Sequence, residues 1–214
     1  MKLIYQDLLN FLTEQPSRES LSKSLFQLGH EHEIDGEIFD MEITPNRGDC
    51  LSLIGLSRDL NFFYDNKDPY EIYGEDIETL DLDFKNLSTE SCPKISFLEI
   101  EIEGNISSYK PYLDNYFKKL GINKTNFFTD ISNYISYERG QPTHCFDREF
   151  ITQGLTFSNR LCQDSFKTLL GDEIKLEGKN CVFTIDDEIV SLAGVMGGLS
   201  TACSSKTKND EQND

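Results

Sequence analysis

Apolar residues recur along this chain in two rhythms, and the switches between them mark its elements. Residues 3–14 hold Leu3, Leu8, Leu9, Phe11 and Leu12 on one broad face, which predicts a helix stopped by Pro16. Ser17 is placed to cap a second helix that turns Leu21, Leu25, Phe26 and Leu28 inward and ends at Gly29. From His32 to Ile43 the pattern becomes strand-like around Asp35-Gly36, which predicts a hairpin of roughly six residues a side. Residues 44–49 then read as a turn and helix entry with Asp49 as the cap. Leu51, Ile54, Arg58 and Phe62 follow at helical spacing, to an end near Tyr64.

Residues 65–79 are acidic, carry Pro69 and Gly74 and show no period, so a domain boundary is expected there. Leu80, Leu82 and Phe84 alternate, and Leu98, Ile100 and Ile102 alternate with Glu99, Glu101 and Glu103, which predicts strands with one wet face. Ser107 or Ser108 is expected to cap a helix whose stripe is Tyr112, Leu113, Tyr116, Phe117 and Leu120, closed by Gly121. Leu155, Phe157 and residues 168–176 around Gly171-Asp172 read as strands. Val182, Thr184 and residues 189–192 form a hairpin about Asp186-Asp187-Glu188. The tail from Ser204 onward has no apolar residue and is expected to be disordered. The fold class is therefore α+β: a small helical and hairpin N-terminal domain (1–64), an acidic linker (65–79), a mixed-sheet domain (80–203) and a polar tail (204–214).

Composition narrows the function classes. At 214 residues and 37% hydrophobic the chain can bury a core. Asp7 interrupts the apolar start, and no apolar run reaches membrane-spanning length, so an untargeted cytoplasmic protein with no membrane partner is expected. A formal net charge of −18 repels a phosphate backbone on average, which argues against DNA as a partner and against nucleic-acid binding by the whole surface. Lys110, Lys118, Lys119 and Lys124 form the one basic cluster, either a solvated face or a local nucleic-acid contact. The six cysteines contain no C-x-x-C pair and read as buried thiols. His30-Glu31-His32 has no further ligand candidate nearby and reads as a solvated strand end, so neither a metal nor a cofactor is expected.

The stretch 130–147, DISNYISYERGQPTHCFD, holds the densest candidate chemistry. Asp130 is placed to cap a helix with Ile131, Tyr134 and Ile135 on one face, and Gly140 with Pro142 ends it. The chain must then run extended, so His144 and Phe146 share a face while Cys145 points away. A Cys-His dyad is thereby disfavoured. The stretch Ala193-Gly194-Val195-Met196-Gly197-Gly198 ends a hairpin instead of opening a helix. No Gly-Lys-Ser/Thr follows it, so close backbone packing is its plain reading.

Three motifs together resemble the editing domain in the beta subunit of bacterial phenylalanyl-tRNA synthetase. They are Ser132-Asn133-Tyr134 with Glu138-Arg139-Gly140-Gln141-Pro142, His144 and Phe146-Asp147; Glu42-Ile43-Thr44-Pro45-Asn46-Arg47 with Asp49-Cys50-Leu51-Ser52; and the glycine stretch from Leu192 to Gly198. The resemblance implies a C-terminally truncated editing-type domain that binds the acceptor end of tRNA(Phe) and hydrolyses mischarged tyrosyl-tRNA, in complex with the synthetase alpha subunit. It implies that His144 is catalytic and that Ser132, Asn133, Ala193 and Gly194 bind substrate; the lysine cluster, if it is not simply a solvated face, would be the local contact for the tRNA acceptor end. Two departures stand out. The family's OB-fold insertion is replaced by the turn at Asp35-Gly36, and Asn213 falls where the family has a glutamate for the tyrosine hydroxyl. An editing hydrolase, a non-catalytic binding module and an inactive fragment of the subunit all remain open on this reading.

Overall fold

The computed structural model describes residues 1–70, 78–102, 108–151, 153–204 and 207. Contacts divide the chain into two compact units, Met1–Glu75 with Ser107–Thr143, and Asp76–Ile106 with His144–Asp214. Both mix helix or turn with sheet, and the protein is α+β, with five α-helices among the described residues.

In the first unit the chain opens with β1 (Lys2–Ile4) and α1 (Tyr5–Leu9), where sequence pattern predicted one helix. Lys2, Leu3 and Ile4 are drawn into strand by pairing with Asp40, Phe39 and Ile38, a partner that local periodicity cannot reveal. Ser17 caps α2 (Arg18–Gln27) by accepting from the Ser20 amide, and Gly29 leaves the helix at φ +84° as expected. Leu21 and Leu25 are fully buried, but Phe26 turns outward and is 51% exposed. β2 (Glu31–Asp35) and β3 (Ile38–Glu42) form the predicted hairpin, and the antiparallel sheet runs β1-β3-β2.

The next helix, α3 (Leu53–Leu60), starts later than Asp49, because Ser52 is the cap and accepts from the Gly55 amide at 3.1 Å. That shift rotates the inward face. Leu53, Leu56 and Leu60 are buried, whereas Leu51 and Phe62 are exposed. α4 (Pro111–Leu120) carries proline at its first position and ends at Gly121 in the left-handed region. Lys110 is its N-cap residue, in place of Ser108; Ser107 lies outside the described residues. Its Leu113, Tyr116 and Phe117 pack with Ile4 in one core, while Leu3, Leu8, Leu21, Leu25, Phe39, Leu53 and Leu56 form another. α5 (Phe127–Arg139) is capped by Asn126 instead of Asp130. Asp130 lies a turn inside the helix, almost fully buried, and accepts hydrogen bonds from the Tyr109 hydroxyl at 2.6 Å and the Thr125 amide at 3.1 Å. A buried carboxylate with two donors is satisfied without serving as a cap.

The second unit is built on a mixed sheet. β4 (Phe84–Asn86) lies parallel to β5 (Leu155–Cys162). β8 (Gly178–Ile185), β9 (Glu188–Leu192) and β10 (Met196–Gly197) continue it antiparallel, in the order β10-β9-β8-β5-β4. β6 (Ser165–Lys167) and β7 (Glu173–Lys175) form a separate hairpin about Gly171. Cys162, Phe166, Leu176 and Val182 make the core beneath. The β8–β9 turn places both Asp186 (φ 48°) and Asp187 (φ 72°) in left-handed conformation, the geometry that matches strand twist across a two-residue loop. The strand expected at Leu98, Ile100 and Ile102 does not form among residues 96–102. Leu98 and Ile100 are 65% and 69% exposed, because alternation sets faces but supplies no hydrogen-bonding partner. Glu103, Asn213 and most of the tail lie outside the described residues.

Candidate functional site

His144 opens the second unit's return to the sheet, after the break that Gly140 and Pro142 impose on α5. Phe146 pairs with Ala202 as an isolated antiparallel bridge, and the Asp147 amide donates to the Thr201 carbonyl at 3.0 Å. The bridge holds the local backbone extended, so His144 and Phe146 do share a face. Their rings meet edge to face, with centroids 4.5 Å apart. The imidazole lies over the backbone of Gly197 in β10. A Cβ built on Gly197 would fall 2.1 Å from His144 Cε1 and 2.7 Å from Nε2, so this strand position admits only glycine while the ring stays in place. Desolvation of that ring face pushes the histidine pKa down, although much of the side chain is open to solvent.

Ala193, Gly194 and Val195 form the tight turn between β9 and β10. The Val195 amide donates to the Leu192 carbonyl at 3.0 Å, and Gly194 takes φ +72°. Gly198 is close-packed as well, since a Cβ there would sit 2.4 Å from the Val190 carbonyl oxygen. The glycine stretch thus combines a turn with two close approaches. Close backbone packing was the plain reading of this stretch; that the neighbour packed on Gly197 is the His144 ring was not legible from the sequence.

Ser132 and Asn133 lie in the first unit, on α5. The Ser132 hydroxyl donates to the Thr143 carbonyl at 2.6 Å and lies 2.9 Å from the Thr143 hydroxyl, while Asn133 is exposed. In the same unit the lysines separate into two kinds. Lys119 pairs with Glu37, and Lys124 pairs with Asp114 and lies 4.4 Å over the Tyr109 ring. Lys110 and Lys118 are exposed.

The structure corrects the reading of His30 and His32, which are buried at 3% and 9% exposure. His32 bridges Ser22 and the His30 carbonyl, and His30 Nε2 lies 3.0 Å from Asp59 Oδ2. Cys50 comes within 3.4 Å of the same oxygen, so His30, Cys50 and Asp59 form a compact donor set that their distance in sequence conceals. A cation already occupies it. The Arg47 guanidinium lies 2.5 Å from Asp59 and 2.8 Å from the Cys50 sulfur, and Arg58 joins Asp49. The hydrogen bond from Arg47 holds the Asp49 carboxyl well below the usual range. Burial, reinforced by Asp59, pushes the Cys50 thiol up to about 12. We read this as an ion network that ties residues 47–50 to α3. Buried thiols were expected throughout, but only Cys50, Cys162 and Cys203 are buried, and Cys92, Cys145 and Cys181 are half-buried.

Comparison with known proteins places the chain in a family. A model of the B3/4 domain matches residues 96–209, and the chain belongs to that family. Its curated relatives include the phenylalanine--tRNA ligase beta subunits of Fusobacterium nucleatum (30% identical over 175 residues, 80% of this chain), Trichormus variabilis (33% over 180 residues, 78% of this chain) and Streptococcus thermophilus (30% over 192 residues, 83% of this chain). The chain spans 22% of the length of each. A solved N-terminal fragment of the phenylalanyl-tRNA synthetase beta subunit from Pyrococcus horikoshii matches 97% of this chain and 65% of its own, with 12% identity and a TM-score of 0.42. Among the described residues no helix is long and apolar enough to cross a membrane.

Proposed function

We propose that this chain is the B3/4-bearing part of a phenylalanine--tRNA ligase beta subunit, and that it hydrolyses tyrosine wrongly esterified to tRNA(Phe). The observation that carries the reading is the seating of His144. Its imidazole is fixed between the Phe146 ring and the backbone of Gly197, in the strand that follows the small-residue turn at Ala193 and Gly194. A lowered pKa leaves that ring unprotonated at neutral pH, ready to accept a proton from a water molecule. Water then attacks the aminoacyl ester carbonyl. The Ala193 and Val195 amides already bond to the Cys181 and Leu192 carbonyls, which leaves the Gly194 amide as the turn's candidate donor to the developing oxyanion. Such a second sieve answers a physical need. A pocket built around phenylalanine rejects an added hydroxyl only weakly, whereas one that hydrogen-bonds the hydroxyl rejects its absence strongly.

In this reading tRNA(Phe) presents its acceptor end, the alpha subunit is the partner chain, and the setting is cytoplasmic. The test is deacylation of tyrosyl-tRNA(Phe) by the 214-residue chain, with phenylalanyl-tRNA(Phe) and His144→Ala as controls. Release of tyrosine that spares phenylalanine and falls at least about 100-fold in His144→Ala is the expected result. Binding of the charged tRNA without release, in wild type and variant alike, would instead make this a non-catalytic binding module.

A further inference from the structure

The bridge that seats His144 also brings two cysteines face to face. Phe146 opposes Ala202, and the Asp147 amide bonds to the Thr201 carbonyl, so the antiparallel register sets Cys145 opposite Cys203. Cross-strand neighbours project to the same side, here the side away from Phe146 and Ala202. Directly opposed residues of this kind have Cα atoms about 4.5–5.5 Å apart, inside the range a disulfide spans. Both residues are thiols, with no disulfide between them, and the Cys145 sulfur is close enough to raise the Cys203 pKa. Cys145 is half-buried and Cys203 is buried, so Cys145 is the more accessible of the two.

We propose that Cys145 and Cys203 form a reversible disulfide, a redox modification site one residue from His144. The oxidant is a small-molecule disulfide such as oxidised glutathione. The Cys145 thiolate attacks one of its sulfurs, forming a mixed disulfide and releasing one glutathione thiol. The Cys203 thiolate then attacks the Cys145 sulfur, closing the cross-strand bond and releasing the second glutathione. The protein loses two protons and two electrons, and these reduce the small disulfide to two thiols. Burial holds the Cys203 thiol at about 12 and raises that of Cys145 as well, so the thiolates are scarce and exchange is slow. Proximity compensates, because the second step occurs within one chain. The disulfide fixes Cys145 to residues 201–203 and so stiffens the backbone that carries His144.

The test is incubation of the native chain with oxidised glutathione, alkylation of remaining thiols, tryptic digestion and mass spectrometry. The expected product joins the peptides 140–148 and 180–206, with Cys181 alkylated, and is lighter by two hydrogens than the same two peptides with Cys145 and Cys203 as free thiols. It disappears with dithiothreitol, survives in Cys181→Ser and is lost in Cys203→Ser. Cys181 shares the second peptide, so the two serine variants assign the bond. A native, cooperatively unfolding protein that gives no cross-link overturns the proposal. So does a stable glutathione adduct on Cys145 that Cys203 does not resolve, or a bond that needs Cys181.

Discussion

Asp7 shows how one side chain ties the stability of the first unit to pH. It sits on α1 among buried leucines, and desolvation raises its pKa to about 6. Lys119 opposes that rise, while Glu138 and Glu37 add to it. In the unfolded chain the carboxyl reverts to the ordinary range near 4. Between these values the folded protein keeps a proton that the unfolded chain has released, so stability is greatest below about pH 4. It declines as pH rises through about 6 and is level above that. We expect Asp7→Asn to leave stability near pH 4 within about 0.5 kcal/mol of wild type and to raise it by about 1–2 kcal/mol at pH 8. Urea unfolding at the two pH values measures this, and an equal effect at both would mean that the carboxylate is not desolvated in solution.

At the scale of elements, Ser52 decides where α3 begins and therefore which face it buries. Its side chain is 2% exposed and accepts from the Gly55 amide, so Ser52→Ala removes a cap and leaves a donor without that partner. We expect a loss of about 1–2 kcal/mol, read from the shift in urea midpoint at unchanged slope. The same helix shows what was legible beforehand. That a helix follows the turn at residues 44–47 was clear from apolar spacing, but choosing Asp49 over Ser52 as cap turned the inward face to the wrong residues. Hairpins read well, because β2–β3 and β8–β9 carry their turn chemistry between their own strands. Elements with remote partners did not. β1 is a strand only because β3 lies beside it, and His30, Cys50 and Asp59 meet across 29 residues. In the candidate site, the shared face of His144 and Phe146 followed from the break at Gly140 and Pro142. The support from Gly197 needed the fold.

For the molecule as a whole, charge is the property most at odds with the proposed substrate. A chain of net charge −18 can hold tRNA only through a local basic face, and Lys110, Lys118, Lys119 and Lys124, on and around α4, are the candidates. They are not equivalent. Lys119 and Lys124 already face Glu37 and Asp114, so a phosphate must compete with a carboxylate for each ammonium, whereas Lys110 and Lys118 are exposed and solvated. Replacing the exposed pair, Lys110→Glu with Lys118→Glu, should therefore weaken tRNA(Phe) binding more than the same change at Lys119 and Lys124. Each lost phosphate contact should also flatten the dependence of log Kd on log salt by about 0.7–0.9. Filter binding over a series of salt concentrations reads both quantities. Equal slopes for wild type and the Lys110, Lys118 variant would remove these two lysines from the proposed tRNA contact.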